Sequence, residues 1–156
     1  MGMILNLVAA VLLAAAAWID ARTMEIPDRF HAALAVCGAA AICFVPDISV
    51  TDRLIGAFCV SVPMYLVCTL IPEAFGGGDI KLTFVMGFYL GWKLLLVGTV
   101  LGFLFGGIQA MFLIASGKVK SGEHAHMAFG PALCLGFMIA MTFGEPLLRF
   151  YLGLFY

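Results

Sequence analysis

An all-α bundle of about six transmembrane helices is the fold this sequence predicts, on three observations. The 156 residues are 64% hydrophobic and only 11% charged, with a mean hydropathy of +1.14, and a water-soluble domain needs far more charge than that to cover its surface. The apolar residues fall into runs near the length of a membrane span, separated by short polar breaks. Glycines also recur four apart, at Gly87 and Gly91 and again at Gly98, Gly102 and Gly106, so that each set lines one helix face and lets a neighbouring backbone approach. Residues 1–156 therefore read as one membrane-embedded domain without a soluble appendage.

The first span is expected from Met3 to Ile19. Met1 to Leu7 contains no Lys or Arg, so the stretch lacks the basic region of a secretory signal and reads as a permanent helix with its N-terminus outside. The second runs from Phe30 to Val45 and stops at Pro46-Asp47; the third runs from Leu54 to Ile71 and stops at Pro72. A short fourth span, Ile80 to Trp92, is set off by Lys93 from a fifth, Leu94 to Ala115. The glycine faces predict close packing for these two. The sixth starts near Met127 and reaches about Leu148.

Six crossings put the breaks Asp20–Arg29, Pro72–Lys81 and Ser116–His126 on one side, with Arg22, Arg29, Lys81, Lys118 and Lys120. The other side holds Arg53, Lys93 and Arg149. The positive-inside tendency assigns the first set to the cytoplasm. The net charge of −1, with no basic cluster, argues against a nucleic-acid partner. The five cysteines form no C-x-x-C pair and read as small residues for helix packing. His124 and His126 have no third ligand nearby, so no metal site is expected.

Ionisable groups near hydrocarbon are costly, which singles out two aspartates. Asp20 follows Trp18-Ile19 at the end of the first span. Asp79 follows Gly76-Gly77-Gly78 and opens the fourth, on the same membrane face. Three glycines allow backbone angles closed to other residues and let a substrate strand come close. Neighbouring carboxylates in a partly dry site can act as general base and general acid for peptide hydrolysis, with no metal or covalent nucleophile. On these residues alone, an acid pair and two solvated helix ends are both open.

Three segments decide between them by resemblance. Ile19-Asp20-Ala21-Arg22-Thr23-Met24-Glu25-Ile26-Pro27-Asp28, Gly76-Gly77-Gly78-Asp79-Ile80-Lys81-Leu82 and Phe129-Gly130-Pro131 resemble, in order and spacing over almost the whole chain, the type IV prepilin peptidases. These are membrane aspartic proteases of the G-x-G-D type. The resemblance implies that Asp20 and Asp79 are the catalytic pair, at the cytoplasmic face of a bacterial inner membrane. It implies no cofactor, and as substrates pilin precursors and pilin-like secretion components, whose short basic leader is cut just before an apolar helix. Gly76, Gly77, Gly78 and Lys81 then support substrate approach or anchor the helix at the interface, with Lys81 turned away from Asp79. Pro27 and Asp28 shape the turn after the first span, and Gly130-Pro131 set the angle of the last helix.

Many relatives carry an additional segment with two zinc-binding C-x-x-C pairs and also methylate the new N-terminus. This sequence has no such pair and one helix ahead of Asp20, which argues for a compact peptidase without methyltransferase activity. Ala128 stands where a proline commonly precedes F-G-P. Two other readings compete. A presenilin or signal-peptide-peptidase type of intramembrane protease also uses G-x-G-D but has Tyr-Asp where this chain has Ile19-Asp20. A small proton-coupled transporter would hold its aspartates deep within broken, repeated helices. Besides the substrate, the lipid bilayer is the expected partner, and the glycine faces leave oligomeric state open.

Overall fold

Uninterrupted apolar sequence with few turn formers leaves the backbone one way to satisfy its polar groups away from water, and the chain takes it: helix throughout. A computed structural model describes residues 2–71, 74–116 and 128–153. Among these residues there are six helices and no strand: α1 (Gly2–Thr23), α2 (Asp28–Phe44), α3 (Val50–Cys59), α4 (Ser61–Leu70), α5 (Gly77–Ala115) and α6 (Gly130–Gly153). Helices α3 and α4 follow one another as the apolar stretch Val50–Leu70, interrupted at Val60. By length and composition, α1, the α3–α4 stretch, α5 and α6 can each cross a membrane. The all-α, multi-pass architecture expected from the sequence is what is found.

The fourth and fifth spans are two helices, as expected. They run on from one another as α5, 39 residues in all, and are divided by a kink at Gly91 (φ 73°, ψ 166°), two residues before Lys93. Drawn straight, α5 would reach about 58 Å, roughly twice the hydrocarbon thickness. The bend divides it into two pieces of spanning scale, and it uses a positive φ that only glycine adopts without strain.

Helix α5 is the central element, packed against α6, α3, α2 and α4, while α1 packs on α6 and α2. The glycine faces do serve close packing, but their partners are other helices. Gly98 and Gly102 meet α6 near Phe137 and Leu133, and Gly136 of α6 sits against Gly98 and Gly102 in return. Gly87 meets Gly56 of α3, backbone to backbone. A Cβ at Gly56 would lie 2.8 Å from the backbone at Gly91 and Trp92. Gly56→Ala is therefore expected to force α3 from α5 and cost about 2 kcal/mol, as overpacking does, read as a lowered unfolding temperature in detergent.

The core between the helices is made by Leu13, Leu34, Leu82, Met86, Leu95, Leu133 and Phe137, all fully buried. The outward faces are just as apolar: Met3, Leu70, Met111 and Phe150 are among the large hydrophobic side chains left exposed. Helices apolar on every side belong in lipid. Cys37 and Cys134 are buried and all five cysteines are free thiols.

Arg53 is the exception inside this bundle. Rather than adding to the surface charge of one side, it is fully buried. Its guanidinium donates to the carbonyls of Tyr89 (2.6 Å) and Phe88 (3.3 Å), just before the bend in α5, and to those of Val45 (2.9 Å) and Ala41 (3.1 Å), at the end of α2. One side chain thus ties three helices where two of them end or bend. Beside it, Asp52 accepts from the Trp92 indole at 3.0 Å.

Candidate active site

At the end of the bundle away from Arg53, the last turn of α1, the first turn of α2, the first turn of α5 and the residues just ahead of α6, Ala128 and Phe129, line a cavity of about 860 Å³. Asp20 and Asp79 both line it. Each is buried, at 5% and 6% exposure, and they are close enough for their charges to interact.

Asp20 lies one turn before the end of α1, and its carbonyl accepts the Met24 N–H at 2.8 Å. Met24 has φ 56°, an uncommon left-handed conformation for a non-glycine residue, and closes the helix while turning the chain into Ile26-Pro27. The Thr23 hydroxyl reinforces this end by donating to the Ile19 carbonyl at 3.0 Å. Oδ2 of Asp20 is buried with no hydrogen-bond partner among the described residues. The Gly130 backbone presses against the same carboxylate: a Cβ there would lie 2.9 Å from Asp20 Cγ and 3.1 Å from Ile26 Cδ1. Gly130→Ala is expected to displace the carboxylate and lower activity about tenfold or more, while unfolding temperature changes little; a cleavage assay paired with a melting curve checks this. Pro131 occupies the first turn of α6, where a missing N–H removes no helical bond.

Asp79 is the third residue of α5, behind the N-cap Gly76, whose backbone is extended (φ −65°, ψ 141°). The Asp79 N–H donates to the Gly76 carbonyl at 3.0 Å and the Thr83 hydroxyl to the Asp79 carbonyl at 2.8 Å, which fixes the turn carrying the carboxylate. The three glycines have different surroundings. Space around Gly77 is open, Gly76 lies under the Asp79 carboxylate, and Gly78 packs against Ile26, whose Cβ a side chain there would meet at 3.3 Å. Only Gly77 leaves room for another chain to approach.

Pro27, Asp28, Lys81 and the three glycines line the same cavity as the aspartates. Lys81 lines the cavity together with Asp79, and its ammonium donates to Asp28 Oδ1 at 2.7 Å. Asp28 lies ahead of the apolar stretch of α2, and Lys81 holds its carboxyl below the usual carboxylate range. The contact therefore persists as pH falls through ordinary carboxylate titration and is lost only below it.

Three neighbours escaped the sequence reading, and a fourth, Glu25, stood in the first motif without a role of its own. Phe75 packs with Phe103 and Phe129, ring centroids 5.9 and 6.1 Å away, beside the cavity. Glu25 adds a carboxylate to the lining. Cys134 is fully buried within electrostatic reach of both aspartates. His31 donates from Nε2 to the Gly78 carbonyl at 3.0 Å. Among the described residues no three His, Cys, Asp or Glu side chains cluster as a metal site; His124 and His126 lie outside those residues.

Comparison with known proteins gives this constellation its context. Residues 7–111 match the type IV leader peptidase family. A prepilin leader peptidase/N-methyltransferase of Bacillus subtilis is 30% identical over 133 residues, covering 85% of this chain and 53% of that protein. Its namesake in Pseudomonas aeruginosa is 30% identical over 139 residues, covering 86% and 47%. The one in Aeromonas hydrophila is 30% identical over 145 residues, covering 90% and 49%. The chain spans about half the length of the curated relatives it matches. No solved structure matches it. On the extent of the family match, which takes in both aspartates and runs from within α1 to within α5, the chain belongs to the type IV leader peptidase family.

Proposed function

We propose that residues 1–156 form a single membrane-embedded peptidase domain, a membrane aspartic endopeptidase that removes the short basic leader from type IV prepilins and pilin-like secretion precursors. The observation that carries this reading is the pair of buried carboxylates, Asp20 from α1 and Asp79 from α5, lining one cavity at the mouth of an apolar bundle. Two carboxylates that interact in a dry site can share a proton. The ionised one takes a proton from water as the oxygen attacks the scissile carbonyl. The protonated one donates to the carbonyl oxygen, and proton return to the amide nitrogen releases the two peptides. The protein supplies both groups from its own side chains, and no step calls for a cofactor.

Support for the substrate comes from the family match and from charge. Among the described residues, Asp20, Glu25, Asp28 and Asp79 line the cavity with Lys81 as the one basic side chain, an excess of acid suited to a basic leader. The apolar outer surface supports a mouth at the level of a membrane interface, where a leader can be cut from a lipid-embedded helix. Arg22, stacked over Trp18 at 4.4 Å, fits an interfacial ring at this end. Together with the basic residues of the breaks, this supports a cytoplasmic-facing site in the bacterial inner membrane. The test is a membrane assay with a prepilin bearing a basic leader: the expected result is a product shortened by the leader, and an uncut substrate would overturn the reading. Weighing the product with and without a methyl donor reads the second activity in the relatives' names.

A further inference from the structure

The first turns of α2 and α5 are joined at two points that bracket Asp79. One is the exposed pair between Asp28 and Lys81. The other is buried: His31, at 6% exposure, reaches the Gly78 carbonyl at 3.0 Å. Asp28 and His31 are three residues apart on α2, and Gly78 and Lys81 three apart on α5, so each pair lies on one face of its helix. Asp79 lies between the two anchored positions.

The two contacts differ in kind. An ammonium and a carboxylate at the surface, on flexible stems, restrain a helix weakly. The imidazole is held in the core and meets a backbone atom, so it fixes where the α5 backbone begins. A carbonyl can only accept, so Nε2 carries the proton. Nδ1 is then buried without a hydrogen-bond partner among the described residues, with Asp28 Oδ1 at 3.5 Å. On its other side Gly78 is packed against Ile26, so its peptide is held from two directions.

We propose that His31 is a positioning residue: through Nε2 and the Gly78 carbonyl it fixes the first turn of α5 and so aims the Asp79 carboxylate at Asp20. The proposal deepens the peptidase reading and rests on it for its kinetic consequence, while its structural consequence stands apart. Small displacements of a reacting group cost rate steeply, so the loss belongs in kcat and not in KM.

The experiment compares the full chain with His31→Phe, which fills the space without a donor, His31→Leu, a smaller filler should Phe crowd the site, and His31→Gln, whose amide can donate from the Nε2 position. Each is assayed for prepilin cleavage and for hydrogen exchange of the amides of residues 79–83, with melting temperature as the folding control. Phe and Leu are expected to lower kcat about tenfold or more at unchanged KM, and to speed exchange in the first turn of α5 about tenfold. Gln is expected to restore both to within about threefold of wild type. Wild-type cleavage and exchange in the folded Phe and Leu variants would overturn the proposal. So would a Gln variant no better than these two, since packing alone would then explain the site. If the wild-type chain cuts no prepilin, the peptidase reading fails, and the exchange data alone still decide whether His31 holds the turn.

Discussion

Replacing Asp20 or Asp79 with Asn is expected to lower prepilin cleavage by about a thousandfold or more, with kcat carrying the loss. Asn keeps the size of the side chain but can neither take a proton from water nor give one to the carbonyl. Each such role is worth about a hundred- to ten-thousandfold. The two roles serve one step, so the double variant should be scarcely worse than either single one, as for other residues that act as a unit. Both carboxylates are buried, and Asp20 Oδ2 has no partner among the described residues, so replacing a charge there with an amide should leave the fold intact or steadier. The measurement is single-turnover cleavage in detergent beside a melting curve for each variant. Full cleavage by either folded variant would sink the acid-pair mechanism.

Arg53→Met carries the largest expected effect on stability. Methionine roughly fills the space of the stem but leaves the carbonyls of Ala41, Val45, Phe88 and Tyr89 without the cation that now serves them. Hydrogen bonds to a charged group are worth about 1.5–3 kcal/mol each, and part of that returns where a carbonyl keeps a helical partner, so a net loss on the order of 4 kcal/mol is expected. For a chain of this length that is roughly 10 °C in unfolding temperature. Lys in the same place should recover only part of the loss, because an ammonium lacks the planar fork that spans two helices. A variant melting within about a degree of wild type would show that the bend in α5 holds without this brace.

Arg53 also shows where sequence reading runs out. In the sequence it stood among polar residues beside an apolar run, and basic residues there are ordinarily interfacial. Nothing local shows that Ala41 and Tyr89, distant along the chain, turn their carbonyls to one point. That the divide between the fourth and fifth spans falls at Gly91 was hidden for the same reason. Gly87 and Gly91 share helical spacing, and only the packing of α3 against α5 separates a contact glycine from one that needs a positive φ. By contrast, the helices, their order and the meeting of Asp20, Asp79, Asp28 and Lys81 at one cavity, with Gly130 against Asp20, were legible from topology and the motifs together. Composition forces helix, and an even number of crossings returns alternate breaks to one face. His31 was missed because one histidine in an apolar helix carries no pattern; its meaning comes from the glycine carbonyl opposite.

The contact between Gly130 and the Asp20 carboxylate bears on how the protein comes into being in the cell. Asp20 is on α1, Asp79 on α5, and the residue that seats Asp20 is the first of α6. Helices emerge from the ribosome in order, so a chain inserted only as far as α5 holds both acids yet has no wall behind the first. Docking of α6 against α1 and α5 would follow the insertion of both, and the seat of the Asp20 carboxylate would be completed with it. Unfinished chains would meet the membrane's other helical proteins with that centre still unformed.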